Sequence, residues 1–288
     1  MICSARLSPR RKRHCMEHNF ELLMFLKRLA MVVLFGGFVV ALVAEMVFPT
    51  MNSMRGSRRF THACHNLLLW LAGIVVMSFV FGGIIWLILQ WLQFRRIGIL
   101  YFLPLPVWLH AIGAFMLLDA ADYMFHRLSH NVRWLWLLHS VHHSDTHVDV
   151  TTNLRQHPLH IVPTELWNLV ACAAIGAPAW VFLVHEIVSL GFAHLHHAAV
   201  RWPRWMDKAL GWIVVTPRMH WGHHSPVMEH TNSNYGVILS VWDRWFGTIK
   251  APAPGEPEFG LAALHDDRWH SAWGMLVTPW RARTLNHL

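Results

Sequence analysis

Long apolar runs place the strongest constraint on how this chain folds. Residues 30–48, 67–92 and 107–125 are nearly free of charge, and a helix of about 20 such residues crosses the hydrocarbon core of a bilayer. Only 14% of the 288 residues are charged, whereas soluble domains carry about a quarter. The sequence therefore predicts an all-α, integral-membrane helical bundle.

A fourth apolar stretch, 161–192, is interrupted by Gly176-Ala177-Pro178. Each piece has about 15 residues and is marginal for a full crossing, so the stretch is either a re-entrant hairpin or one bent span. Histidine clusters flank it on both sides. If they share one site, the chain must return to the side that it left, which favours the hairpin.

Arginine content predicts the orientation. Loops that carry excess Lys and Arg usually face the cytoplasm, and eight arginines accompany the histidine clusters: Arg58, Arg59, Arg127, Arg133, Arg155, Arg201, Arg204 and Arg218. The basic residues 10–13 oppose this orientation if the first run crosses fully. The net charge is +8, but no basic run is interleaved with aromatic residues, so no nucleic-acid partner is expected.

Three domains are expected: a basic N-terminal segment (1–28), a membrane domain (29–249) and a soluble C-terminal tail (250–288) that begins with a Pro- and Gly-rich stretch. The chain has 4 cysteines, widely separated and without a CxxC pair. This spacing disfavours a disulfide framework, a zinc ribbon and a four-cysteine iron–sulfur cluster.

Three clusters stand out among the 24 histidines. Residues 126–130 have the spacing HxxxH, and residues 139–143 and 220–224 both have HxxHH. Residues at i, i+3 and i+4 share one helix face, so each cluster directs its imidazoles to one point. Eight convergent histidines exceed the needs of one tetrahedral zinc and suit two metal ions. Imidazole alone does not select the metal.

The sequence patterns of two other kinds of metal site are absent. The zinc-protease pattern HExxH is absent, and no Glu is followed by His three positions later, as carboxylate-bridged di-iron bundles require. Asp122 lies one helical turn before His126, where it is expected to orient that imidazole. The isolated histidines are interpreted as solvated or core residues: His14, His18, His62, His65, His110, His185, His265, His270 and His287.

The ordered motifs resemble the fatty acid hydroxylase superfamily, also called the sterol desaturase family, in its bacterial form. The resemblance covers about residues 45–249. It rests on Glu45-x2-Phe48-Pro49, Arg58-Arg59 before Asn66, Asp119-x3-Tyr123-x2-His126-Arg127-x2-His130, His139-x2-His142-His143-Ser144, Thr152-x2-Arg155-x-His157-Pro158, His197 before Val200-Arg201-x-Pro203, Pro217-x2-His220-x2-His223-His224-Ser225, Asn234-Tyr235-Gly236 and Trp242-Asp243-Arg244-x-Phe246-Gly247-Thr248.

The resemblance implies a site of two iron ions on the cytoplasmic face. The metal ligands it implies are His126, His130, His139, His142, His143, His197, His220, His223 and His224, with His194 as a weaker candidate. The other candidate catalytic residues are Asp122, Tyr123, His157 and Asn234. The chain departs from the family pattern at Ala199, at Asn232, and at His160, where the family often has Glu. These departures concern substrate choice rather than metal binding.

The implied activity is O2-dependent hydroxylation or desaturation of a lipid: a fatty acyl chain, a sterol or another isoprenoid. Electrons are expected from a separate ferredoxin- or cytochrome-type carrier and its reductase, and the expected location is the bacterial inner membrane. Two alternatives stay open. The same scaffold also suits an ether-lipid cleaving oxygenase or a hydrolase, and clustered histidines also suit a non-enzymatic metal carrier or sensor.

Overall fold

The computed structural model describes residues 9–50, 54–251 and 258–284. Its α-helices are α1 (Pro9–Val32), α2 (Phe38–Val47), α3 (Gly56–Phe81), α4 (Ile84–Arg95), α5 (Val107–Asn131), α6 (Arg133–His143), α7 (Ile161–Ile175), α8 (Ala179–His197), α9 (Arg204–Leu210), α10 (Pro217–His223), α11 (Met228–Thr231), α12 (Val241–Trp245) and α13 (Ala272–Arg281). A π-helical turn, Val33–Gly37, joins α1 to α2. Within these ranges β-pairing is limited to two isolated bridges, and the all-α prediction is confirmed.

Four helical segments are long and apolar enough to cross a membrane: Glu21–Val47, Gly56–Phe81, Pro158–Ile175 and Ala179–His197. A fifth crossing is added if Ile84–Phe102 and Val107–Asn131, which meet at 89°, form one broken span. The integral-membrane prediction thus agrees with the length and composition of these helices.

The predicted run 67–92 is not one helix. Helix α3 begins earlier, at Gly56, and ends at Phe81, and α4 begins at Ile84. Between them, Gly82 and Gly83 have φ angles of 43° and 88°. Glycine adopts this left-handed conformation without a side-chain clash, so the pair ends one helix before the next begins. An average of hydropathy does not detect such a break.

The division of 161–192 lies where the sequence predicted it. Helix α7 ends at Ile175, Gly176 follows with a φ of 81°, and Pro178 precedes the first turn of α8. The Gly176 carbonyl accepts a hydrogen bond from Nε2 of His110 on α5 at 2.9 Å. The turn between α7 and α8 is therefore fixed to α5 as well as being sharply bent.

Apolar packing unites the helices around this turn. One cluster of buried residues joins α4, α5, α7 and α8 and includes Leu89, Leu118, Cys172 and Val181. Because all four helices contribute to one core, α5 and α8 are held in a fixed relation. Both helices run toward their C-terminal histidines.

The described part of the predicted C-terminal tail packs against α6. Leu261, Leu264 and Trp269 form a buried cluster with Trp136, and Met275 of α13 lies against Leu69 and Val141. The domain boundaries stay predictions, and residues 1–8, 252–257 and 285–288 of the predicted terminal segments lie outside the described ranges. The C-terminal residues 258–284 therefore support the helix that carries HxxHH.

Substitution of Gly98 tests the close backbone contact between Gly98 and the turn after α7. A Cβ atom at Gly98 would lie 2.0 Å from the backbone nitrogen of Gly176, and the Gly98 φ angle is 122°. We expect Gly98→Ala to lower the free energy of unfolding by about 3 kcal/mol, because backbone atoms cannot yield to the added methyl group. Thermal unfolding in detergent measures this.

Gly73→Ala is the matched control. Gly73 lies inside α3 with nothing within 4 Å of its added Cβ, so alanine is expected to be neutral or stabilising through its helix propensity. Equal unfolding temperatures for Gly98→Ala and the wild type would contradict the close approach of the two backbones.

Candidate metal centre

Four helices bring histidines to one place. The end of α5 carries His126 and His130, α6 carries the 139–143 cluster, α8 ends at His197, and α10 carries the 220–224 cluster. The nine predicted ligands fall into two groups: His126, His130, His139, His143 and His223, and then His142, His197, His220 and His224. Within each group, one ring nitrogen of each residue lies within 4.8 Å of the others.

The two groups share a boundary. The rings of His143 and His224 stack with centroids 4.5 Å apart, although they belong to different groups. The HxxHH clusters are responsible, because adjacent histidines in each cluster contribute to opposite groups. Two neighbouring sites, rather than one large site, are therefore what the doubled HxxHH motif builds.

Ring nitrogens face one another at short range. The Nε2 atoms of His197 and His142 are 3.1 Å apart, those of His220 and His197 are 3.0 Å apart, and those of His223 and His126 are 3.0 Å apart. Protonated imidazoles repel one another at such distances, and neutral ones point lone pairs at a common centre. A metal cation between the rings would bind these lone pairs and remove the repulsion between them.

Backbone carbonyls set the orientation of several rings. The Nδ1–H groups of His126 and His223 donate to the carbonyls of Tyr235 and Ser233 at 2.8 and 2.7 Å, and that of His197 donates to Ala193 at 2.8 Å. A hydrogen bond at Nδ1 fixes the tautomer in which Nε2 carries the lone pair. These three imidazoles are thus prepared to bind through Nε2.

Burial keeps the imidazoles neutral. Burial and the neighbouring histidines lower the pKa of His139, His143 and His220 well below the ordinary value of 6.5, and the same causes act on His142, His223 and His224. Both ring nitrogens of His130, His139 and His143 are buried and have no hydrogen-bond partner in the described protein. Neutral, unpaired imidazole is the form that binds transition metals, so the residues present fit two such ions.

Arg155 supports α6, the helix that carries the 139–143 cluster. It is fully buried; Nε donates to the carbonyl of Val141 at 2.9 Å, and Nη2 donates to Oγ of Ser144 at 2.8 Å. Burial acts to raise the pKa of the neighbouring Asp145, but His62 and Arg155 hold it below its usual range. Arg155 is therefore not part of the cytoplasmic basic face to which the sequence assigned it, because a buried carboxylate requires its charge.

Glu45 connects the N-terminal helices to two ligand-bearing segments. Its Oε1 accepts hydrogen bonds from the backbone of Val150 and Ala199, both at 2.8 Å, and its other oxygen pairs with Arg59. Ala199 lies two residues after His197, and Val150 begins the 3-10 helix after α6. Helices α2 and α3 thereby fix both segments.

Two of the predicted catalytic residues support the segment that follows α10. The Tyr123 hydroxyl lies 2.9 Å from Oγ1 of Thr248. Nδ2 of Asn234 donates to the carbonyls of Met219 and Lys250, and the Asn234 backbone has a φ of 51°. Neither side chain hydrogen-bonds to a histidine of the two groups. Their contacts indicate that they position α10 and the Ser233 carbonyl.

Of the remaining candidates, Asp122 and His157 line a cavity and His194 does not. Nε2 of His157 donates to the carbonyl of Leu276 at 3.1 Å. His160 stacks on His139 with ring centroids 5.1 Å apart. His194 lies outside both histidine groups and contacts Phe38. Asp122 does not hydrogen-bond to His126, whose Nδ1 is bonded to Tyr235; its carboxylate is instead 3.8 Å from Nε2 of His185.

The cavity has a volume of about 400 Å³ and lies between α3, α5, α7 and α8. Apolar side chains such as Leu69, Ile74 and Ile161 line it, and imidazoles of both histidine groups form one wall. His142, His197 and His220 of the four-histidine group reach this wall, as do His126 and His139 of the five-histidine group. A lipid chain in this cavity would lie against both sites.

Sequence reasoning missed several residues around the centre. The side-chain nitrogen of Gln156 lies 3.3 Å from Nδ1 of His142, and His62 and Asp145 are paired at 2.9 Å. Asp145 follows the His143-Ser144 pair directly, and that adjacency was an available signal. No sequence signal identified His62, because its partner Asp145 is 83 residues away.

Comparison with known proteins agrees with this geometry. The Fatty acid hydroxylase family model matches residues 111–248, from α5 to the end of the segment after α12. The chain carries a fatty acid hydroxylase domain. The superfamily resemblance of the motifs is thereby confirmed. No solved structure matches the chain.

Three relatives have lipid-modifying names. Alkylglycerol monooxygenase of Caenorhabditis elegans is 26% identical over 72% of this chain and 41% of its own length. Ornithine lipid hydroxylase of Rhizobium tropici is 31% identical over 54% and 46%, and human cholesterol 25-hydroxylase is 23% identical over 49% and 51%. The chain thus spans about half or less of the length of these relatives. Their names support an oxidoreductase that acts on lipids in general.

Replacement of one histidine from each group tests the two-site arrangement. We expect His223→Ala and His142→Ala each to lose at least one of the bound metal ions, since each removes an Nε2 that faces its group. Elemental analysis of the purified full-length protein measures the metal content. His147→Ala is the control, because its exposed ring bonds only to Thr146. Unchanged metal content in both cluster variants would overturn the assignment.

Arg155→Met tests the support beneath α6. Removal of the charge leaves Asp145 with His62 as its cationic neighbour and deletes the hydrogen bonds to Val141 and Ser144, and the expected loss is about 3 kcal/mol of unfolding free energy. Arg155→Lys should recover part of this loss, because it retains the charge but not the two-nitrogen fork. Thermal unfolding measures both variants.

The control for Arg155 is Arg268→Met, which removes an exposed arginine paired with Asp266. Exposed pairs contribute little, so its unfolding temperature should match that of the wild type. An Arg155→Met protein as stable as this control would show that the buried network does not hold α6.

Proposed function

We propose that this protein is a membrane di-iron oxidoreductase that uses O2 to hydroxylate or desaturate a C–H bond of a lipid. The observation that carries the proposal is the position of the two histidine groups, which form one wall of an apolar cavity between membrane helices. Relatives named as a monooxygenase and as lipid hydroxylases support the same reaction class. The substrate class is a fatty acyl, sterol or other isoprenoid lipid.

Nine imidazoles would hold the metal. The five-histidine and four-histidine groups would each hold one iron ion, which when bound supplies the O2 activation that oxidation of an unactivated C–H bond requires. The Tyr235, Ser233 and Ala193 carbonyls keep three ligands in the binding tautomer. Arg155 and Glu45 hold the segments that carry the others.

Lipid access is expected from the bilayer. Trp70 and Gly73 of α3 and Ile161 and Thr164 of α7, all in candidate membrane-crossing segments, line the cavity. Apolar walls exclude water from the reacting carbon and favour an alkyl chain over a soluble substrate. The cavity thus selects for a chain lying across both metal sites.

Hydroxylation by O2 consumes two electrons and two protons and releases water, so the reaction needs an electron donor. We infer a separate ferredoxin- or cytochrome-type carrier and reductase. Exposed Arg133, Arg201 and Arg204 give the histidine-bearing end a positive surface, which suits an acidic carrier and the cytoplasmic side of a bacterial inner membrane. Exposed Trp134, Trp205 and Trp212 fit the headgroup level.

Isotope labelling tests the reaction. Iron-loaded protein in lipid nanodiscs, with ferredoxin, its reductase and NADPH, is supplied with ¹⁸O2 and a bacterial lipid extract. We expect one ¹⁸O atom in a hydroxylated lipid, or loss of two hydrogens without label if the outcome is desaturation. Mass spectrometry measures both products. The His142→Ala and His147→Ala proteins are the inactive and active controls.

The alternatives predict different results. An ether-lipid cleaving oxygenase would give ¹⁸O in a cleavage product, and a hydrolase would give products without O2 and with oxygen from water. A metal carrier or sensor would bind metal and leave every lipid unchanged. Either a hydrolytic or an empty product profile contradicts the proposal.

A further inference from the structure

Polar side chains line the cavity as well as apolar ones. Asp122 of α5 and Glu186 and Ser189 of α8 reach the cavity, with Asn168 of α7. These residues lie within segments that are candidates for crossing the membrane. Ionisable groups at membrane depth are costly and generally face a functional cavity. A cavity that held only an alkyl chain would not need them.

His185 is the shared partner of the two carboxylates. It is 1% exposed and forms ion pairs with both, 3.8 Å from Asp122 and 3.8 Å from Glu186. These distances are longer than a normal hydrogen bond. The buried Ser189 hydroxyl beside them has no hydrogen-bond partner in the described protein. The carboxylate oxygens and this hydroxyl therefore have capacity for a further partner in the cavity.

We propose, resting on the lipid oxidation inferred above, that Asp122 and Glu186 bind the hydrogen-bond-donating polar end of the lipid substrate, a hydroxyl or an ammonium group. Ionised carboxylates accept hydrogen bonds and do not donate them, so a lipid end that donates gains a bond at these two residues that an ether or ester end cannot make. A carboxylate in an apolar surrounding is stabilised by each hydrogen bond that it accepts. The donor therefore contributes binding energy as well as orientation.

The position of this site restricts where the lipid is oxidised. Asp122 precedes His126 by one helical turn, about 6 Å along α5. A polar end held at Asp122 places the first few carbons of the chain next to His126 and His139, which line the same cavity. Oxidation is thus expected close to the polar end rather than at the far end of the chain.

Ligand binding tests the site without turnover. Full-length protein in nanodiscs is titrated with tritiated hexadecanol, hexadecylamine, hexadecyl methyl ether and hexadecane. We expect hexadecanol or hexadecylamine to bind at least about tenfold more tightly than the methyl ether, the size of one hydrogen bond to a charged group. The alcohol and amine arms distinguish a neutral from a cationic donor. Equal affinity for all four ligands would overturn the proposal.

Variants locate the binding. Asp122→Leu and Glu186→Leu should each remove the preference for the donor while retaining hexadecane binding and metal content. Glu229→Leu is the control, because Glu229 is an exposed carboxylate that pairs with Lys250 and does not line the cavity. Retained donor preference in both cavity variants would contradict the site. If Asp122→Leu does not fold, Glu186→Leu and the wild-type ligand series still show whether the donor preference exists and whether it depends on a cavity carboxylate.

The two proposals fail separately. Lipid oxidation with ¹⁸O2 but no preference for a donor would leave the oxygenase in place and remove this polar site. A preference for the alcohol or amine without any oxidation would retain the polar site and contradict the oxygenase. The position of the new oxygen on hexadecanol or hexadecylamine gives a further readout, and oxidation at the methyl end would contradict the placement of the polar end at Asp122.

Discussion

The structure depends on holding nine imidazoles neutral, seven of them on buried residues and two on partly buried ones, with their nitrogens directed at two centres. Nε2 atoms about 3 Å apart, as in His142, His197 and His220, cannot all carry a proton, and a metal cation between them satisfies several lone pairs at once. Burial lowers the pKa of the rings on α6 and α10, and carbonyl acceptors at Nδ1 fix the tautomer of three others. Helix ends, loops and the buried arginine all serve this arrangement.

Local spacing predicted much of the centre. The i, i+3 and i+4 repeats predicted that α6 and α10 each direct histidines to one point, because that periodicity is a property of a single helix. His197 lies outside the HxxxH and HxxHH clusters and was included only through the family resemblance. The division of 161–192 was also predictable, because Gly176 and Pro178 act on the local backbone.

Long-range contacts were beyond sequence reasoning. Asp119 accepts hydrogen bonds from the backbone of Ile238 and Leu239, about 120 residues later, and no local signal links the two segments. Arg155 was assigned to the surface because charge in a polar segment usually is solvated, but its partners in the fold bury it. The break at Gly82 was missed because hydropathy averages do not record backbone conformation.

The contact between Glu45 and Ala199 joins residues that are 154 positions apart. Chains are made from the N-terminus, and metal binding is coupled to folding when the ligands come together only in the native state. The contact of Glu45 with Ala199 therefore forms only after α8 and the residues that follow it have been synthesised. Because α10 supplies its histidines still later in the chain, a metal ion that needs both histidine groups could be bound only after most of the chain has been made. The packing of the earlier helices would then have to hold without that ion.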